Sequence, residues 1–381
     1  MILPGATLGV LGGGQLGRMF TLAAHSMGYR VWVLDPDPDS PTGRMADRHL
    51  QAAYDDAQAL EEMASGCAAV TTEFENVPAE TLEFLEARLP VRPGSKAVAI
   101  ARDRIREKTF IRDLGLATAP FFAITSTDDL EPACASLTMP ALLKTSQLGY
   151  DGKGQIGIDN LEQAQLAFED LNRTPCILEE CVRLEQELSV VLARSVDGRT
   201  AVYPVGENIH VNGILDTTRV PGRIPEAVAD KACDMALQLA NAMDYCGVLA
   251  VEFFLTPDGQ LLINEMAPRP HNSGHYSIDA CLTSQFEQQV RTLCGLPPGS
   301  PRLLSPAVMV NVLGKLWNAG TPRWQYLFAE GHTALHLYGK EEARPGRKMG
   351  HYTCMAEDAG QAMRIAERVR AAIDPAAPDD D

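Results

Sequence analysis

Residues Gly247-Val-Leu-Ala-Val-Glu252-Phe-Phe-Leu-Thr-Pro-Asp258-Gly259-Gln-Leu-Leu-Ile-Asn-Glu265 read as two apolar strands folded back around Asp258-Gly259. Asp-Gly favours a two-residue type I′ turn. Counting outward from that turn sets Pro257 opposite Gln260 and Glu252 opposite Glu265. Directly opposed Cβ atoms lie roughly 4.5–5.5 Å apart, and like charges placed there repel. The pair therefore calls for a cation. Magnesium carrying nucleotide phosphates fits, because that ion takes one or two carboxylates and completes its octahedron with phosphate oxygens and water. The competing reading is a pair of acids neutralised by Arg or Lys; the apolar neighbours Phe254 and Ile263 weigh towards the metal. Strict alternation sends Asn264 to the other face, and only a local bulge brings it to the same side as the acids.

Upstream, Gly149-Tyr150-Asp151-Gly152-Lys153-Gly154-Gln155 carries three glycines in six positions, with one lysine. Such a loop can set backbone N–H groups against phosphates while Lys153 adds charge, although the same composition also suits an exposed turn. Lys144 ends an apolar strand at 141–144, Glu179 and Glu180 end another at 176–180, and Glu187 opens a third at 187–192. Their spacing suits a nucleotide clamp: a lysine for a phosphate, a strand-end backbone for the adenine edge, a carboxylate for ribose hydroxyls. Taken singly, each is as readily a solvated surface charge.

At the amino end, a strand at 7–11 runs into Gly12-Gly-Gly14-Gln15-Leu-Gly17, a helix to about Met27, and a strand ending at Asp35. This is the dinucleotide-binding fingerprint, and alone it says NAD-binding oxidoreductase. Nothing downstream supplies a hydride-transfer site. A further strand at 68–72 leads into Glu73-Phe-Glu-Asn-Val77. The segment boundaries give an amino-terminal Rossmann-like α/β domain at 1–105 and an α+β domain at 106–297. The latter has two lobes, about 106–182 and 183–297, with a helix from about Asp230 to Met243 in the second. A small carboxy-terminal domain at 298–381 ends in a frayed Pro/Ala/Asp tail.

The chain has 381 residues and a formal net charge of −17, so its overall field repels nucleic acid and anionic membranes. No run approaches the ~20 apolar residues of a membrane span, and the start lacks the marks of a signal peptide, which points to the cytoplasm. Nine scattered cysteines without a C-x-x-C pair read as reduced, mostly buried thiols.

Lys144, the glycine loop, Glu179-Glu-Cys-Val182, Glu187, and Glu252 with Asn264-Glu265 resemble the ATP-grasp superfamily, which sandwiches MgATP between two α+β lobes. Four segments narrow the resemblance to the N5-carboxyaminoimidazole ribonucleotide synthetase family. They are Gly12-Gly-Gly-Gln-Leu-Gly-Arg-Met19, Tyr150-Asp-Gly-Lys-Gly-Gln155, Asn264-Glu-Met-Ala-Pro-Arg-Pro-His-Asn-Ser-Gly-His275 and Arg344-Pro-Gly-Arg-Lys-Met-Gly-His351. The resemblance covers residues 7 to 355. It implies ATP contacts from Arg104, Lys144, residues 149 to 155, Glu179, Glu180, Cys181, Val182, Glu187, His210, Asn264 and Glu265. Glu252 and Glu265 would hold Mg2+ or Mn2+. Leu148 departs from the family, which usually has a glycine there, and would stiffen the loop's leading edge. In such relatives the amino-terminal glycines pack helix onto strand without binding a dinucleotide, and a homodimer is usual.

The implied substrates are ATP, bicarbonate and 5-aminoimidazole ribonucleotide, the last a phosphate dianion carrying a weakly basic amine. An acidic protein must meet it with a local basic pocket. Arg347, after the Pro345-Gly346 turn, and Lys340 are assigned to the phosphate. Gln15, Glu73, Tyr150, Asp151, Asn272 and Ser273 complete the implied substrate set. Arg269 is placed to hold bicarbonate or carboxyphosphate. His271 is either the proton acceptor from the amine or a neutral hydrogen-bonding spacer. A different ATP-grasp ligase acting on a related ribonucleotide is the nearest alternative.

Overall fold

The computed structural model describes residues 1–147 and 154–376. Four parallel strands form the first sheet: β1 (Thr7–Leu11), β2 (Arg30–Leu34), β3 (Arg48–Leu50) and β4 (Ala69–Thr72), in the order β3-β2-β1-β4. Every residue of β1 and β4 is buried, as expected of parallel strands covered on both faces. Helix Gln15–Ser26 lays Met19 and Phe20 on this sheet, in a core that also takes Phe286, Val290 and Leu293 from helix Gln285–Leu293.

The second sheet is antiparallel: β5 (Phe121–Ile124), β6 (Ala141–Thr145), β7 (Gln155–Ile158) and β8 (Cys176–Glu180), ordered β5-β8-β6-β7. Helices Leu130–Ser136 and Leu161–Asp170 cover one face through Leu130, Ala133, Ala164, Ala167 and Phe168.

The third sheet has nine strands. They are β9 (Gln186–Arg194), β10 (Thr200–Val202), β11 (Gly206–Val211), β12 (Ile214–Val220), β13 (Gly247–Leu255), β14 (Leu261–Ala267), β15 (Ala307–Leu313), β16 (Thr333–Leu337) and β17 (Lys348–Met355). The order is β14-β13-β9-β11-β12-β15-β17-β16, with β10 paired to β9. Helix Glu226–Ala242 packs Ala232, Met235, Ala236 and Leu239 on this sheet; it begins four residues earlier than the apolar pattern predicts. β12 pairs antiparallel with β15, Thr217 opposite Val310, so the strands beyond residue 298 extend the second lobe's sheet. Helix Ala359–Ile373, capped by the Asp358 side chain on Gln361 N, covers that extension. Among the described residues no helix is long and apolar enough to cross a membrane. All nine cysteines are free thiols, five of them buried.

Candidate active site

The hairpin turn differs from the two-residue expectation. The Thr256 amide donates to Gln260 O (3.0 Å) and the Gly259 amide to Thr256 O (2.9 Å), enclosing a three-residue loop, Pro257 to Gly259. Gly259 has φ +80°, the left-handed conformation that closes such a loop and that glycine adopts without strain. The longer loop slips the pairing by one, so Phe253 faces Ile263 and not Asn264. A bulge between Glu252 and Phe253 then takes up the extra residue, Asn264, and restores Glu252 opposite Glu265. Two displacements cancel. Their product is that Asn264 and Glu265, adjacent in sequence, both line one cleft together with Glu252.

That cleft has a volume of about 650 Å³. The hairpin forms one wall. Lys144 on β6 and Gln155 on β7 face it from the first lobe; Glu187 on β9 and His210 on β11 extend the hairpin's own sheet. Arg104 enters from the start of helix Arg104–Asp113, which Asp103 caps through Ile105 N and Arg106 N. Gln15 and Glu73 close the amino-terminal side, and Arg269, His271 and Asn272 follow β14.

Charges in the cleft are unevenly matched. Burial and then Glu265 push the Glu252 carboxyl up to about 7. Its contact at the cleft is His271 Nε2, at 3.5 Å, an imidazole that burial keeps neutral. Burial also pushes Glu265 up, but Arg104 Nη1, 3.0 Å from Oε2, outweighs it and leaves that carboxyl below its ordinary range. Glu107 lies beneath, its carboxylate accepting from Met266 N, and burial with Glu265 beside it raises it to about 8. Three acids within one wall, two of them pushed towards neutrality, leave the wall short of positive charge. Facing oxygen donors with an amide oxygen at Asn264 suit a hard divalent cation.

The opposite wall is already compensated. Glu179 is buried between two lysines: Lys144 Nζ lies 2.6 Å from Oε2 and Lys108 Nζ 2.5 Å from Oε1. Burial raises this carboxyl, yet the two lysines prevail and hold it at about 2. Lys108, itself buried, also donates to Thr118 Oγ1 at 2.8 Å. On the hairpin's own sheet, Glu187 bonds His210 Nδ1; burial lowers the His210 pKa, and Glu187 with Glu252 more than reverses this. Glu180 is spent on Thr138 N (2.7 Å), and the exposed Cys181 has its amide on Pro140 O. Val182 is half-buried and Gly154 has φ +70°. Leu148, Gly149, Tyr150, Asp151, Gly152 and Lys153 lie outside the described residues.

Arg269 meets Glu75 through Nε at 2.7 Å and Nη2 at 3.3 Å, a partner the sequence reading passed over. His271 is half-buried and its pKa is driven well down, by loss of solvent first and then by Arg269 and Lys348. Its Nδ1 accepts from Ser273 N at 3.3 Å and lies 2.8 Å from Ser273 Oγ, which leaves the ring proton on Nε2, facing Glu252. Gln285 fixes the backbone on both sides of that ring, accepting from His271 N (2.9 Å) and donating to His271 O (2.7 Å). Ser273 is buried and does not border the cleft; Asn272 does, locked by reciprocal amide bonds to Asn311. Of the carboxy-terminal basic residues, Lys348 lines the cleft while Lys340 and Arg347 do not. Lys340 Nζ donates to Lys348 O (2.8 Å) and Arg347 Nη1 to Glu342 O (3.0 Å).

The amino-terminal fingerprint is filled from within. Glu73 accepts from Gly14 N through Oε1 and from Gly17 N through Oε2 (2.7 Å), where a dinucleotide's pyrophosphate would sit. Asp35 accepts from Gly13 N and from the Tyr54 hydroxyl, both at 2.7 Å. A Cβ on Gly14 would come within 2.5 Å of Glu73 Oε1, so glycine is needed there for the protein's own carboxylate. The oxidoreductase reading fails on this geometry.

Residues 5–102 match the ribonucleotide synthetase preATP-grasp domain, 109–286 the ATP-grasp domain, and 307–364 the phosphoribosylaminoimidazole carboxylase C-terminal domain. Fold and cleft together define an ATP-grasp ligase, its cleft bordered by Lys144 and Gln155 from one lobe and by Glu252, Asn264 and Glu265 from the other. A relative from Bacillus subtilis (strain 168), N5-carboxyaminoimidazole ribonucleotide synthase, is 44% identical over 357 residues, covering 94% of this chain and 93% of that protein. The crystal structure of an ADP complex of N5-carboxyaminoimidazole ribonucleotide synthetase superposes with a TM-score of 0.92 at 44% identity, covering 97% of each chain. The ADP-complexed synthetase from Staphylococcus aureus gives 0.90 at 37% identity, covering 97% of this chain and 98% of that one. The chain belongs to the N5-carboxyaminoimidazole ribonucleotide synthase family.

Proposed function

We propose that this chain carboxylates 5-aminoimidazole ribonucleotide to N5-carboxyaminoimidazole ribonucleotide in purine biosynthesis, using ATP and bicarbonate and releasing ADP and phosphate. The observation that carries the reading is the single cleft in which the Glu252, Asn264 and Glu265 wall faces Lys144 and Gln155, with Arg269 and His271 between them.

Bicarbonate is a poor electrophile, so ATP's γ-phosphoryl is transferred to one of its oxygens, giving carboxyphosphate and ADP. Carboxyphosphate divides into carbon dioxide and phosphate, and the amine nitrogen attacks the carbon dioxide. The proton that the amine loses goes to the phosphate set free beside it. Catalysis of this kind rests on positioning and charge neutralisation. Lys144, Gln155, Glu187 and His210 orient the nucleotide. Glu252 and Glu265, with Asn264 between their ranks, would hold Mg2+ or Mn2+, which supplies neutralisation of the transferring phosphoryl. Arg269, held in place by Glu75, offers its remaining guanidinium edge to bicarbonate and carboxyphosphate. His271 acts as the neutral donor and not as the base, because its Nδ1 is engaged by Ser273. Gln15 meets the amine substrate, beside a Glu73 held by Gly14 and Gly17, and Lys348 meets its phosphate, with Lys340 and Arg347 reaching that phosphate by leaving the carbonyls of Lys348 and Glu342. The protein works in the cytoplasm as a homodimer.

The deciding experiment measures ADP release with each co-substrate omitted in turn. Release should require 5-aminoimidazole ribonucleotide and bicarbonate together; equal release without the ribonucleotide would overturn the reading.

A further inference from the structure

Two of the family-like motifs end in histidines that the chemistry above does not use, His275 and His351. They meet: their rings lie 4.8 Å apart, and His275 separates His351 from the cleft that His275 lines. On its other side, His351 stacks on His336 at 4.7 Å with an interplanar angle of 18°. That stack follows from the sheet, because His336 on β16 and His351 on β17 are directly opposed in the antiparallel register. Asp279, in the short helix Ser277–Ala280, reaches across from the segment after β14 and places both carboxylate oxygens 3.0 and 3.1 Å from His336 Nε2.

We propose that Asp279, His336 and His351 form a binding site for a divalent transition-metal ion of the zinc class, distinct from the carboxylate hairpin. Three observations converge on it. The donor atoms of the three residues all lie within 4.8 Å of one another. His351 is fully buried, and its Nε2 has no hydrogen-bond partner among the described residues, a costly arrangement for a ring nitrogen unless something binds it. Its other nitrogen, Nδ1, is 2.9 Å from the buried Tyr338 hydroxyl. With Nδ1–H donating to Tyr338, the lone pair of Nε2 is free for a metal, which is the outer-shell bond that orients ligating histidines.

Two imidazoles and one carboxylate select borderline metals over Mg2+ and Ca2+, which prefer all-oxygen shells. Tetrahedral zinc with bonds of about 2.0–2.1 Å sets its ligands roughly 3.3–3.4 Å apart. The donors here lie within 4.8 Å of one another, so the widest pair must close by about 1.4–1.5 Å, shared between rotations of the Asp279 and His336 side chains. Both of those side chains are partly exposed, at 14% and 27%, so an ion can enter and water can fill the remaining positions. A metal there would tie the β16–β17 pair to the segment after β14 and brace the wall of the cleft behind His275.

The test uses the full chain, stripped with a chelator and titrated with Zn2+ and Co2+ in millimolar Mg2+, which occupies oxygen-only sites. One ion per chain should bind, with imidazole ligation visible in the Co2+ spectrum. His336→Gln and Asp279→Asn should each weaken it by at least about 10–100-fold. Both positions are partly exposed and the replacements are close in shape, so these variants should keep the wild-type circular dichroism. Glu252→Gln should bind the ion as tightly as the wild type. No binding at 100-fold excess metal, unchanged affinity in both variants, or loss in Glu252→Gln would each overturn the proposal. The last would move the ion to the cleft. The first would leave a buried His351 beside an ordinary Asp279–His336 hydrogen bond.

Discussion

The glycine turn at the amino end and the carboxylate hairpin of the second lobe both look, in sequence, like places where a ligand binds. The protein treats them oppositely. At the glycine turn, Glu73 and Asp35 accept the amide hydrogens of Gly14, Gly17 and Gly13, so the donors of the helix start are satisfied internally. At the hairpin, Glu252 and Glu265 face each other and Arg104 compensates only one of them, leaving Glu252 raised to about 7. A motif becomes a site where the fold leaves its polar groups uncompensated, and remains architecture where the chain supplies its own partner.

The comparison breaks most visibly at the hairpin. Glu252→Gln and Glu265→Gln should each lower ADP production by roughly 10²–10³-fold, the cost of losing one preorganised charge-stabilising group. Both should fold, since neutralising one of two opposed acids relieves repulsion. Near-normal magnesium-dependent turnover in either variant would make the hairpin as internally satisfied as the glycine turn.

At the glycine turn the loss should appear in stability. Glu73→Ala strands two part-buried amides, each costing about 1–3 kcal/mol, so urea unfolding should show a loss of about 2–6 kcal/mol. The wild type should not bind NADH, as fluorescence titration would show. Sulfate should raise the melting temperature of the variant more than that of the wild type, because the vacated helix start attracts an anion. Tight NADH binding by the wild type would overturn the self-filled reading.

The carboxy-terminal basic turn sharpens the contrast, because Lys340 and Arg347 already donate to backbone carbonyls. Charge-assisted bonds to phosphate are worth about 1.5–3 kcal/mol, so Lys340→Ala and Arg347→Ala should raise the ribonucleotide KM on the order of tenfold or more, with the ATP KM unchanged. If only Lys348→Ala has that effect, the first two are self-satisfied like Glu73.

The smallest effect is in the pH dependence of stability. Glu252 is raised from 4.5 to about 7 in the folded chain, so between those values the folded state binds more protons than the unfolded one. Its contribution is full below 4.5 and is lost as pH rises through 7. The metal-free wild type should therefore lose melting temperature relative to Glu252→Gln across that window. Parallel profiles would mean that neither burial nor Glu265 raises Glu252.

Much of the frame was readable in the amino acids. Apolar runs bounded by Gly, Pro and Asp placed β1, β8 and the β13–β14 pair almost to the residue, because buried strands need consecutive apolar side chains wherever they lie. The facing of Glu252 and Glu265 was also readable, although by two errors that cancelled: a turn longer by one residue and a bulge that took up the excess. Turn length and bulges depend on backbone geometry that residue types only bias.

Glu75, Lys108, Glu107 and Lys348 escaped the sequence reading because nothing local distinguishes a lysine or glutamate bound for a cleft from one bound for water. Only long-range packing brings Glu75 to Arg269 and Lys108 to Glu179. Ser273 belongs with them in reverse: it sits inside a motif with ligand-like residues but faces the interior and serves His271. The sequence by itself determined which chemistry this protein carries, through the motifs between residues 7 and 355 that resemble one family, since the same carboxylates, lysines and glycines taken singly admit ordinary surface roles. The tertiary structure alone decided which polar groups are compensated, because burial and pairing belong to the environment a side chain enters and not to the side chain itself.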